Sequence, residues 1–184
     1  MLCSTKLPCV RRPIMTTRPT KPGFKKCTTK TCPMYPYTEK DANNYKLVTN
    51  FVIKHSGQVI DIKDHLTCNT SNCLYICTCQ ACGKGPKKKK QDAEVNNYKG
   101  QYTGQTKRKV KLRWVEHKSS IEDPYTKKPV GRHFQERSHR EAENCTILPF
   151  MKIRSSDPHV RPIMEKKAIS GFGLIDNGLN KKLG

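Results

Sequence analysis

The chain has 184 residues of which 34% are hydrophobic, so it can bury one modest core but not a large one. Lys and Arg number 36 against 15 Asp and Glu, a formal net charge of +21 that points to a polyanionic partner: DNA, RNA, or an anionic glycan or membrane surface. No run approaches the ~20 consecutive apolar residues of a membrane span, and the opening MLCSTKLPCVRRP lacks the apolar block of a secretory signal. The chain is therefore expected to be soluble, with no membrane partner. In a reducing compartment its ten cysteines favour metal sites over disulfides.

Residues 1–44 are rich in Pro, Thr, Lys and Arg and read as a basic, cysteine-containing arm or linker. Cys27 and Cys32 interrupt it, either as a small metal knuckle or as two free thiols. Residues 45–66 read as a β-hairpin lead-in, with strands over 46–53 and 59–62 and a turn at His55-Ser56-Gly57. A domain over 67–184 follows. Its first strand covers 73–79, with Tyr75 and Cys73 on one face and Leu74 and Ile76 on the other. A second strand runs from about 99 to 103. Between them lies a lysine-rich insertion at 83–98, where Lys87, Lys88, Lys89 and Lys90 follow Pro86. That run reads as a nuclear-localisation signal, a phosphate-contacting loop or a solvated loop. The first helix is expected over 106–120 with Thr106 as its N-cap, a short second helix opens at Pro129, and a strand covers 145–153. Asp157 caps a third helix with Pro158 at its first position, and Pro162 is tolerated in the first turn. The resulting fold class is α/β, of the α+β kind. No internal repeat is present.

The chemistry concentrates around KGQYTGQT and the basic run KRKVKLRWVEH that follows it. Arg113 and His117 are four residues apart and share one helix face, while Val110, Trp114 and Ile121 form an apolar stripe beside it. Taken singly, a strand tyrosine is usually packing and an arginine on a basic helix is usually a solvated charge. Their order carries more weight. Tyr75, then Tyr102-x-Gly104, Arg113-x-x-x-His117, Glu165 and Asn180 resemble the GIY-YIG nuclease family in sequence order. The resemblance narrows to the endonuclease domain of Penelope-like retroelements, which carries a Cys-x-x-Cys between the tyrosine motifs and two histidines after the first helix. Here these are Cys79, Cys82, His133 and His139. Two departures stand out. Cys73-Leu74 occupy the place of Gly-Ile, and Tyr75 and Tyr102 lie further apart than in relatives because of the insertion. A hairpin tolerates such a loop because closure entropy grows slowly with length.

The resemblance implies a central three-stranded antiparallel sheet flanked by helices and a DNA endonuclease that nicks by phosphodiester hydrolysis. It implies one catalytic Mg2+ or Mn2+ on Glu165, with Arg113 bracing the phosphate. Tyr75 and Tyr102 would position or deprotonate the water, helped by His117, and Asn180 would close the set. A tyrosine is a poor base at neutral pH unless cations lower its pKa, a task expected of Arg113, the metal and the positive field of the chain. Cys79, Cys82, His133 and His139 offer two soft and two borderline ligands, suited to a structural zinc; Cys77 and His117 are competing ligands. A second site from Cys27, Cys32, Cys68 and either His55 or His65 is a further option. DNA contacts are expected from Lys87 to Lys90 and from Lys107, Arg108, Lys109 and Lys111. The expected partners are DNA and the reverse transcriptase region of the same element, in the nucleus. Since these residues contain no reverse transcriptase, the chain is expected to be a fragment, a truncated copy or a stand-alone remnant.

Two other classes stay open on sequence alone. One is a zinc-stabilised nucleic-acid-binding module that has lost cleavage. The other is a secreted, disulfide-bonded cationic protein that binds acidic glycans.

Overall fold

The computed structural model describes residues 21–35, 47–82, 99–135 and 142–181. Eight strands and three helices follow one another: β1 (Gly23–Lys25), β2 (Leu47–Val48), β3 (Asn50–Ile53), β4 (Gln58–Asp61), β5 (His65–Thr67), β6 (Cys73–Cys79), β7 (Gln101–Thr106), α1 (Val110–Glu122), α2 (Pro129–Gln135), β8 (Cys145–Lys152) and α3 (Val160–Gly171). The class is mixed α and β, as expected. Among the described residues no helix is long and apolar enough to cross a membrane.

The central sheet has the order β7-β6-β8 and both of its pairings are antiparallel. β6 is the axis, and all seven of its residues are buried. A strand covered on both faces needs a nearly continuous apolar run rather than strict alternation, which is what CLYICTC supplies. Helix α3 packs on β7 and β6, and α1 packs on α2. Along α1, Val110, Trp114, His117 and Ile121 turn inward, confirming the apolar stripe; Trp114 is fully buried and so belongs to the core.

The expected hairpin is present as the antiparallel pair β3–β4, but its first strand is shorter than expected. The run expected as one strand over 46–53 divides at Thr49: β2 joins β1, whereas β3 pairs with β4. β1 in turn runs parallel to β5, so the second small sheet is ordered β2-β1-β5. Residues 23–25 are thus part of the folded body rather than of an extended arm, because Phe24 and Met34 are fully buried in the same cluster as the central sheet. Isolated apolar residues in a basic stretch give no periodic signal, so their burial was not visible in the sequence.

Asp64 joins the two regions. Its carboxylate accepts from the Lys152 N–H (2.9 Å) and from Arg154 (2.6 Å), and its carbonyl accepts from Gly23 N–H (2.8 Å). Gln101 does the same on the other side, accepting from Lys54 N–H and donating to the Val52 carbonyl.

Helix ends also depart from expectation. α1 starts at Val110, and Thr106 instead ends β7, its hydroxyl accepting from Arg108 N–H. α3 starts at Val160, with Asp157 forming a turn onto His159 N–H just before it, so Pro162 falls in the first turn as expected.

Candidate active site and thiol clusters

Tyr75 lies opposite Gly104 in the β6–β7 register. A Cβ on Gly104 would sit 2.5 Å from the Tyr75 hydroxyl and 2.8 Å from Tyr102 Cε1, so only glycine lets the phenol lie against β7. The phenol reaches α1. Arg113 Nε donates to the Tyr75 hydroxyl at 2.9 Å, and His117 Nε2 stands 2.8 Å from the same oxygen. The expected shared face of Arg113 and His117 is therefore present and directed at Tyr75. Tyr102 packs edge-on to His117, with ring centroids 5.9 Å apart.

Electrostatics fix the protonation of this group. Burial, then the charges of Arg113 and Lys128, push His117 down to about 3, so its imidazole is neutral at pH 7. Neutral Nε2 facing a phenol that already accepts from Arg113 is the acceptor, and the Tyr75 O–H donates to it. Burial pushes Tyr75 well above the usual tyrosine range, with Cys77 and Tyr102 adding to it and Arg113 pulling only partly back. Tyr102 is pushed up to about 12 by burial, then by Glu165 and Cys77, again against Arg113. Arg113 lowers both tyrosines, as expected of it, but desolvation outweighs this single cation and both stay above the ordinary tyrosine value.

Glu165 is buried on α3, and its pKa is raised by burial against hydrogen bonds from Gln105 and the charges of Arg113 and Arg161. Arg161 lies one turn before it and donates to the Gln105 carbonyl oxygen Oε1 and, at 3.0 Å, to Asn72 Oδ1. Asn72 adopts φ +52°, a left-handed conformation that asparagine tolerates, and its Nδ2 donates to the Ile153 carbonyl at 2.7 Å. This network of Asn72, Gln105 and Arg161 escaped the sequence reading, since none of the three belongs to a spaced motif.

Asn180 is buried and clips the edge of β7: its Oδ1 accepts from Thr103 N–H at 3.0 Å and its Nδ2 donates to the Thr103 carbonyl at 2.8 Å. Leu179 N–H adds a bond to the Gln101 carbonyl. The segment thus caps the strand that carries Tyr102.

Arg113 also pairs with Glu116 (2.5 Å), and Arg108 pairs with the other oxygen of the same carboxylate. Lys107, Arg108 and Lys109 are exposed just before α1, and Lys111 is half-buried. Lys87, Lys88, Lys89 and Lys90 lie outside the described residues.

Cys79, Cys82 and His133 place their ligand atoms within 4.8 Å of one another, with Cys82 Sγ 3.2 Å from His133 Nε2. Two sulfurs and an imidazole nitrogen fit zinc. Room for them comes from Gly100, where a Cβ would lie 2.8 Å from Cys82 Sγ and 3.0 Å from Cys79 Cβ. His139, the expected fourth ligand, lies outside the described residues. Of the competing ligands, His117 is engaged with Tyr75 and Cys77 lies against Cys145.

Cys27, Cys32 and Cys68 also converge within 4.8 Å and could hold a metal such as zinc. Neither proposed histidine joins them. His65 Nδ1 is 3.3 Å from the Lys21 carbonyl, and His55 lies beside Gly173. None of the eight described cysteines is in a disulfide. No protein-family model, curated protein or solved structure matches the chain.

Proposed function

We propose that the chain is a metal-dependent DNA endonuclease of the GIY-YIG type, the nicking part of a Penelope-like retroelement. One observation carries this reading: Arg113 and His117 on α1 both meet the hydroxyl of Tyr75, 38 and 42 positions earlier on β6, with Tyr102 and Glu165 beside them. The antiparallel β7-β6-β8 sheet supports it as well.

Glu165 would hold the divalent ion, which when bound stabilises the charge developing on the leaving oxygen. Arg113 supplies the phosphate contact, and an incoming phosphate would compete with Glu116 for the guanidinium. Tyr102 is half-buried where Tyr75 is fully so, and on this reading Tyr102 is the tyrosine that positions the water. Neutral His117 is the proton acceptor at pH 7, linked to the site through the Tyr75 hydroxyl. The exposed Lys107, Arg108 and Lys109 would track the DNA backbone, and the element's reverse transcriptase would extend the nicked 3′ end in the nucleus.

A second reading is a zinc-stabilised nucleic-acid-binding module without cleavage, supported by the convergence of Cys79, Cys82 and His133. Nicking of supercoiled plasmid with Mg2+ or Mn2+ decides between them. The wild type should nick, and Glu165→Ala and Arg113→Ala should bind DNA without nicking. Equal behaviour of all three would leave the binding module.

A further inference from the structure

We propose that Cys27, Cys32 and Cys68 hold a zinc ion distinct from the one at Cys79, Cys82 and His133, and that this second metal braces the loop that caps α1.

The chain brings these thiols together from two directions. β1 and β5 run parallel, with Lys25 opposite Thr67, so Cys27 and Cys68 leave the same end of the sheet. Cys32 is returned to that end by a tight turn in which Cys32 N–H bonds the Thr29 carbonyl at 2.9 Å. Four residues separate Cys27 from Cys32, a spacing common in zinc knuckles. Three thiols are an odd number, so a disulfide among them would strand the third, whereas one zinc takes all three as thiolates and keeps a fourth position for a further ligand. Cys68 is buried, and its thiol lies within hydrogen-bonding reach of Cys27 and Cys32.

The consequence lies on the other side of Cys68. α1 has no side-chain N-cap: Lys109 makes no capping bond. Its first free donors are taken by the main chain of the 68–70 loop, Val110 N–H to the Thr70 carbonyl at 2.9 Å and Lys111 N–H to the Cys68 carbonyl at 3.1 Å. The helix that carries Arg113 and His117 is therefore capped by the residue that also supplies a thiolate. A metal that fixes Cys68 to Cys27 and Cys32 fixes the cap.

The test is zinc content per chain together with amide hydrogen exchange, neither of which depends on nicking. The wild type should carry two zinc ions, and Cys68→Ser and Cys82→Ser one each. In Cys68→Ser the amides of Val110 and Lys111 should exchange at least tenfold faster, while those of β6 keep their protection. Because Cys68→Ser removes a buried side chain, 113Cd NMR of the cadmium-loaded wild type provides a reading free of folding defects: two resonances are expected, the site with three thiolates downfield of the site with two thiolates and a nitrogen. A single resonance, or a zinc content that Cys68→Ser leaves unchanged, overturns the second site. Loss of zinc with unchanged exchange at Val110 and Lys111 overturns the cap.

Discussion

The Tyr75 hydroxyl stands 2.8 Å from His117 Nε2, and both groups are buried. The pair is set in one direction, phenol donating and imidazole accepting, because His117 takes no second ring proton at neutral pH in that surrounding. Removing the hydroxyl leaves Arg113 Nε and His117 Nε2 unmatched. Tyr75→Phe should cost about 1–3 kcal/mol in urea unfolding and abolish nicking. A variant as stable and as active as the wild type would show the hydroxyl to be incidental.

Stability should depend on pH through His117. Its pKa is about 3 in the folded chain against 6.5 ordinarily, so between those values the unfolded chain binds a proton that the folded chain does not. Stability from this group is complete above pH 6.5 and falls as pH drops towards 3, by about 1.4 kcal/mol per unit. His117→Gln stays neutral, so the difference between wild type and variant across pH 4 to 7 isolates the effect. Parallel curves would refute it.

Glycine substitutions give a matched pair. Gly104→Ala forces a Cβ to within 2.5 Å of the Tyr75 hydroxyl and should destabilise by about 1–3 kcal/mol. Gly171→Ala meets nothing within 4 Å at the end of α3 and should be neutral or stabilise by up to ~1 kcal/mol. Thermal melts of the two, and nicking by the first, check the contrast.

Glu165 sits where burial disfavours its charge. Glu165→Gln should therefore melt at or above the wild-type temperature at pH 7 while losing metal-dependent nicking. A marked drop in melting temperature with nicking intact would make Glu165 a structural residue.

Gly100→Ala places a methyl 2.8 Å from Cys82 Sγ and should lower zinc affinity at the Cys79 site by tenfold or more, read by chelator competition. Unchanged affinity would mean that Cys82 is not a ligand.

Sequence order alone determined a good deal. Strand 73–79 matches β6 residue for residue, and the four-residue spacing placed Arg113 and His117 on one face, because helical and extended periods are local properties of the chain. The grouping of the Cys79-x-x-Cys82 pair with His133 came from the order of motifs in the resemblance, not from a local period. What only the tertiary structure decided are relations between elements. Thr49 splits its strand because β2 and β3 have different partners, and Phe24 is buried because β1 lies beside β5. Burial outweighs Arg113 at both tyrosines for a related cause: desolvation depends on everything packed around a group, whereas a sequence shows only which charges exist. Gly104, Asn72 and Arg161 acquire their roles through contacts across 29 to 89 positions of chain, which no local pattern encodes.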